Sequence, residues 1–371
     1  MNQVLGIINF EDATVDVTGL VNYRPVPSLT FMGRYRLIDF VMSNFTNSGI
    51  SNVQVYVKNK PRSVYEHVGT GRHYNINSKQ GKLRIMHGEE PVQSEIYNTD
   101  INAFNSNIQF IEEAKAKYVI IAPSYMVYTI DFSTVLASHK VNKADITIVY
   151  KPTEMAKESF IGCTALSLDK EKRVIASEIN LGKNKSRNIS LEAYVMSREL
   201  FLELIGLAHK TSSVYWLKDI IRDNYDRFVV KGFMVRGLVY PINNLAEYQR
   251  ANLELTNYAN AKQLFDPMWP IMTRTSDSPP THYGENAVVV GSSISNGCKI
   301  EGTVINSVIG RGVVIKPGAV VINSILLPGV IVGNDSHLEY VIVDKNSKVL
   351  EVKELKGEFR QPIYVKRRDR I

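Results

Sequence analysis

The sequence predicts an α/β domain with a mostly parallel sheet, followed by a parallel β-helix. Three observations carry this reading. Strand-like and helix-like patterns alternate over the first ~260 residues, a proline-rich stretch then interrupts them, and a hexapeptide rhythm of aliphatic residues follows. With 371 residues the chain is long enough for two separate cores.

The run Val4 to Phe10 is apolar and short, as suits a buried strand. Leu37 to Ser48 places Ile38, Val41 and Phe45 at helical spacing, with Gly49 where a helix C-cap belongs. Asn52 to Val57 alternates with period two and reads as the next strand. Tyr118 to Ala122 and Asp145 to Tyr150 read as further strands with a helix between them. Strand, helix, strand in this order implies right-handed crossovers. Near residue 262 the composition shifts: Pro267, Pro270 and Ser276 to Pro280 break any helix. The expected organisation is an α/β domain over 1–260, a linker over 261–283 and a β-helix over 284–371. In the last part Ile309, Ile315, Val321 and Leu327 fall six residues apart, and Val313, Ala319, Ile325 and Ile331 repeat that spacing. Gly310, Gly312, Gly318 and Gly329 supply turns. Triangular coils of three hexads each are expected, with a β-sandwich as the structural alternative.

Composition excludes several classes. Hydrophobic residues make up 44% and charged residues 22%, as in ordinary globular proteins. The two cysteines, Cys163 and Cys298, lack CxxC spacing, so no zinc site or disulfide framework is expected and a reducing, cytoplasmic setting fits. The N-terminal run has no basic segment before it, which argues against a signal peptide, and no apolar stretch approaches the ~20 residues that span a bilayer. Much of the excess behind the formal charge of +7 sits in Lys366 to Arg370, which reads as a solvated tail, and the rest is scattered among carboxylates. Without an aromatic-interleaved basic stripe, no nucleic-acid partner is expected.

The octapeptide Gly33-Arg34-Tyr35-Arg36-Leu37-Ile38-Asp39-Phe40, with Ser43-Asn44 and Asn47 to Ile50 after it, closely resembles a signature of bacterial ADP-glucose pyrophosphorylases (glucose-1-phosphate adenylyltransferases). The resemblance extends over essentially the whole chain. It implies a Rossmann-like, GT-A-like nucleotidyltransferase domain and a left-handed β-helix. Members of that family join ATP and glucose 1-phosphate, with Mg²⁺, into ADP-glucose and pyrophosphate for glycogen or starch synthesis.

The residues that would do this chemistry are replaced. The family's glycine-rich phosphate loop ends in a cation, because bare backbone N–H groups and positive charge hold a triphosphate. Here the corresponding run, Asn9 to Thr18, has no glycine and no cation but holds Glu11, Asp12 and Asp16. Each carboxylate near a phosphate costs about 1 kcal/mol at ~4 Å even in water. The family's first metal-binding aspartate falls on Tyr125, a poor ligand for a hard cation. Its second falls on Pro241. The lysine after the loop becomes Val26, and the sugar-phosphate lysine becomes Asn180. Asp131 remains nearby and reads as a helix N-cap rather than a ligand.

An intact scaffold with a dismantled site resembles the noncatalytic GlgD-type subunit, which accompanies a catalytic GlgC-type subunit. The resemblance implies a heterotetramer in which this chain has no cofactor of its own and Mg²⁺ acts at the catalytic partner. Arg24 and Arg36 match family arginines that bind phosphorylated effectors between the two domains; Tyr23 stands where some members carry an activator-binding lysine. The bland alternative pairs Arg36 with Asp39 and leaves Arg24 solvated. Gly69 to His73 reads as a surface turn, His67 and His73 lack a third metal ligand, and His337 alone makes no acyltransferase. Two other functions stay open: an active sugar-phosphate nucleotidyltransferase whose Asp12, Asp16 or Asp131 converge in the cleft, and a stand-alone metabolite sensor.

Overall fold

The computed structural model describes residues 3–76, 81–87 and 97–371. Nine strands form one sheet: β1 (Val4–Asn9), β2 (Asn52–Tyr56), β3 (Lys82–Met86), β4 (Tyr118–Pro123), β5 (Ile146–Thr153), β6 (Thr164–Leu168), β7 (Val174–Ile179), β8 (Arg187–Ser197) and β9 (Val230–Met234). β1 lies between β2 and β4, and β2 pairs β3; all these pairings are parallel. β8 runs antiparallel to β4 and β5, and β9 returns parallel to β5. The antiparallel pair β6 and β7 extends from the beginning of β8.

β1 shows why a near-continuous apolar run becomes a central strand. Val4 and Ile8 belong to one core cluster, while Leu5 and Ile7 belong to another on the opposite face. Six helices bear on the site: α1 (Leu37–Asn47), α2 (Asp100–Ser106), α3 (Phe132–Val141), α4 (Arg198–Thr211), α5 (Leu217–Arg222) and α6 (Leu245–Glu254). Phe45 of α1 and Phe132 of α3 pack together on the first face; Phe104 of α2 and Phe201 of α4 pack on the second. Gly49 follows α1 with φ 76, the left-handed conformation expected of a residue ending a helix there.

Residues 282–365 wind into three five-stranded parallel faces, a β-helix and not a sandwich. Inward residues stack in columns, such as Ile300 on Ile315 on Val332 on Val349. The expected coils of three full hexads are corrected here. Ile300 to Ile315 is a step of 15 residues and Ile315 to Val332 a step of 17. The shortened corners shift the rhythm, so Leu326 rather than Leu327 stacks beneath Ile309.

The β-helix docks on the α/β domain through outward aliphatics. Val308, Ile325 and Ile342 join the larger α/β core cluster. A Cβ on Gly33 would lie 2.8 Å from the Ile309 carbonyl oxygen, so this signature glycine permits the close approach. The linker is anchored too: the Ser43 hydroxyl accepts from the Met272 amide at 2.8 Å, and Trp269 Nε1 donates to Asn44 at 3.1 Å. Asp39 holds the start of α1. Its carboxylate accepts the Arg36 amide at 2.8 Å, His67 lies at 2.6 Å, and the Tyr74 hydroxyl donates at 2.5 Å.

Candidate functional site

β1 and β4 end side by side, with Asn9 opposite Pro123, and the C-terminal ends of parallel strands are where α/β folds bind ligands. The chain that leaves β1 turns back at once. Asp12 accepts from the Thr14 amide at 2.8 Å and its hydroxyl at 2.5 Å. Its other oxygen pairs with Lys218 at the start of α5. From the opposite wall, Glu192 reaches within 3.6 Å of the same ammonium. Glu192 sits where the β8 register shifts between Ser190 and Ala193, with φ 51. That bulge re-aims a side chain at the sheet's rim. Burial, and then the neighbouring Glu192 carboxylate, push the Tyr125 phenol up.

Beside this trio, Asp100 accepts from Asn9 Nδ2 at 2.7 Å and from the Leu217 amide at 2.9 Å, which ties β1, α2 and α5 together. Phe10 and Trp216 meet edge to face at 5.8 Å. The space left among these residues is about 10 Å³. Roughly one water fills such a volume, whereas small-molecule sites usually measure about 300–1,000 Å³.

The charges are settled internally. Burial alone would raise the Asp12 carboxyl, but the neighbouring Lys218 outweighs burial and holds it below its usual range. Burial would likewise lower the Lys218 ammonium, yet Glu192 and Asp12 together hold it above its ordinary value. Burial raises Glu192, against the pull of Lys218. Burial also pushes Asp100 up to about 7, opposed by the Leu217 and Asn9 hydrogen bonds.

The structure brings Tyr125 and Pro241 together: Pro241 pairs with Met126, and the Tyr125 carbonyl accepts from the Ile242 amide at 2.8 Å. The two positions matched to metal aspartates therefore adjoin, as a phenol and a pyrrolidine. Neither suits Mg²⁺, and the nearest carboxylates, Asp12 and Glu192, are held by a lysine, so this donor set does not fit the metal. Among the described residues, no group of three or more His, Cys, Asp or Glu gathers as metal ligands. Val26 is buried in the core. Asn180 turns inward, donating to the Ala156 carbonyl at 2.9 Å and that of Phe160 at 3.0 Å. The convergence of Asp12, Asp16 and Asp131 required for a rearranged metal site does not occur. Asp16 accepts from Thr18, and Asp131 caps α3 by accepting from the Ser133 amide at 2.8 Å. Sequence reasoning missed Glu192 and Lys218 altogether.

A second concavity of about 350 Å³ lies between the domains, lined by Arg34, Arg36, Arg274, Arg311, Lys345 and Asp277 among others. Arg311 Nε is buried without a hydrogen-bond partner, and burial followed by nearby Arg34 lowers its pKa. Arg36 donates to the Ser63 carbonyl at 2.9 Å. Arg24 corrects the expectation of a solvated or effector-facing side chain. It is buried and meets both oxygens of Asp344 at 2.5 Å, an ion pair between the domains, and it does not line the pocket. Of the two expected effector arginines, only Arg36 does. Its other cations come from the octapeptide, the linker and two β-helix coils, which no sequence period connects.

The site and the fold together define a nucleotidyltransferase scaffold. Comparison with known proteins agrees: the nucleotidyl transferase family matches residues 18–228, and the GlmU-like C-terminal hexapeptide family matches residues 280–356. The glycogen biosynthesis protein GlgD of Geobacillus stearothermophilus is 33% identical over 86% of this chain and 83% of its own length. GlgD of Bacillus subtilis is 26% identical over 99% of the chain and 96% of its own length. The glucose-1-phosphate adenylyltransferase of Clostridioides difficile is 28% identical over 82% of the chain and 80% of its length. The chain belongs to the nucleotidyl transferase family, in the group that contains the glucose-1-phosphate adenylyltransferases and the GlgD proteins.

Proposed function

We propose that this chain is a noncatalytic subunit of a glucose-1-phosphate adenylyltransferase, serving glycogen biosynthesis by raising the activity of a catalytic GlgC-type partner in a heterotetramer. The observation that carries this reading is the closed cleft. Lys218 pairs with Asp12 and is approached by Glu192 at the C-terminal ends of β1 and β4, where α/β folds bind ligands, and Tyr125 and Pro241 offer no carboxylate at the positions matched to metal ligands. The chemistry and its metal then reside in the partner. What the chain keeps is a folded scaffold and an interdomain pocket whose cations suit a phosphorylated effector, since guanidinium groups donate to phosphate in a bidentate fork.

Co-expression with the catalytic subunit of its own source, carrying a single affinity tag on that partner, tests the proposal. The two chains are expected to co-purify as one complex that forms ADP-glucose faster per catalytic subunit than the partner alone. Recovery of the partner without this chain, or of a complex no faster than the partner, would refute it.

A further inference from the structure

We infer that an anion entering the interdomain pocket is bound together with a proton, which Lys345 takes up. This rests on the reading of the pocket as an anion site and adds a regulatory property to it.

The argument begins with which cations face the space. Arg34 and Arg36 come from the octapeptide, Arg274 from the linker, and Arg311 and Lys345 from separate coils. Arg24 and Arg367 add positive charge beside Lys345. Against them stand few acids. Asp277 lines the pocket, and Asp39 is already engaged by His67, Tyr74 and the Arg36 amide. Asp344, the carboxylate next in sequence to Lys345, is committed to Arg24, to the Tyr364 hydroxyl at 2.8 Å and to the Lys345 amide at 2.6 Å. Among the described ion pairs, Lys345 has no partner.

A crowded, partly desolvated set of cations lowers its free energy by shedding charge. Arginine cannot do so at any pH the protein meets, because its guanidinium stays protonated. The lysine is the member that can. Burial, then Arg36 and Arg24, push its pKa down to about 7, with Asp344 pulling the other way and Arg367 adding to the push. His67, which also lines the pocket, is bonded to Asp39 and faces the same field.

A dianion placed among these groups reverses the balance and restores the ammonium. Between the pKa of Lys345 without the anion and its raised value with the anion bound, therefore, affinity for a fully ionised dianion falls by up to about tenfold per pH unit. An effector acting here would loosen as the surroundings become more alkaline, with no change in its own ionisation.

Sulfate is the probe, because it stays dianionic from pH 6 to 9 and brings no proton of its own. Calorimetric titration of the full chain at pH 8, in two buffers of different ionisation enthalpy, counts protons taken up per sulfate. Close to one proton is expected, with affinity nearly tenfold weaker at pH 8.5 than at pH 7.5. Lys345→Arg should still bind sulfate, with proton uptake abolished and affinity flat across that range. Arg311→Ala should weaken binding yet keep the pH slope. Sulfate binding without proton uptake, or uptake undiminished in Lys345→Arg, overturns the inference while leaving the anion site intact. No Lys345- or Arg311-sensitive sulfate binding in the wild-type chain overturns the anion site itself, and the inference with it.

Discussion

Lys218→Met is expected to destabilise the chain by about 3–5 kcal/mol at neutral pH, the usual cost of leaving a buried charge without its partner. Methionine keeps most of the apolar stem, so the change isolates the ammonium. Asp12 and Glu192 would then face each other with side chains 11% and 17% exposed, each disfavouring the other's ionised form. Their folded-state pKa values rise above the unfolded ones. The variant's penalty is thus largest above those raised values and fades as pH falls towards about 4, where the unfolded chain also takes up protons. In the intact protein Asp12 has the opposite sign. Its folded pKa is lowered, so its stabilisation is present above the unfolded value and is lost as pH falls through the folded one. Urea unfolding of both proteins from pH 4 to 8 should give curves widest apart at pH 7–8 and converging in acid. Parallel curves would contradict the buried trio.

The interdomain ion pair predicts an effect of similar size. Asp344→Ala leaves Arg24, only 4% exposed, without an acceptor, and strands the Tyr364 hydroxyl beside it. A loss of about 3–5 kcal/mol is expected, felt at the junction between domains. Calorimetry should show the unfolding transition broadening or splitting, and limited proteolysis should find the linker between Leu264 and His282 more readily cut. The double variant Arg24→Met with Asp344→Leu should regain a large share, because replacing both charges by apolar groups removes the stranded one. A double variant no better than the single one would contradict the stranded charge as the source of the loss.

Much of the architecture is legible because periodicity reports burial. β1 reads as a two-sided strand, and the β-helix announces itself through the six-residue spacing of Ile309, Ile315 and Val321, which fall on its three successive faces. Coil length is less legible, since corners of different size carry no period of their own. In the cleft, the missing glycines and the substitutions at Tyr125 and Pro241 are plain once the octapeptide aligns the chain, and the structure places those two positions together. What fills the cleft is not legible. Glu192 lies in a strand whose alternation would place it without special notice, and only the bulge turns it towards Lys218. Lys345 and Arg311 look like ordinary outward residues of a β-helix until the docked α/β domain covers them. Arg24 looks solvated for the same reason: its partner, Asp344, lies 320 positions away in sequence.

The account stands most directly on turnover by the isolated chain. The purified protein, given ATP, Mg²⁺ and glucose 1-phosphate at saturating concentrations, should form no ADP-glucose above a protein-free control. Robust, Mg²⁺-dependent synthesis that disappears in Asp12→Asn or Glu192→Gln would contradict the account, because those carboxylates would then be releasing Lys218 to take up the metal.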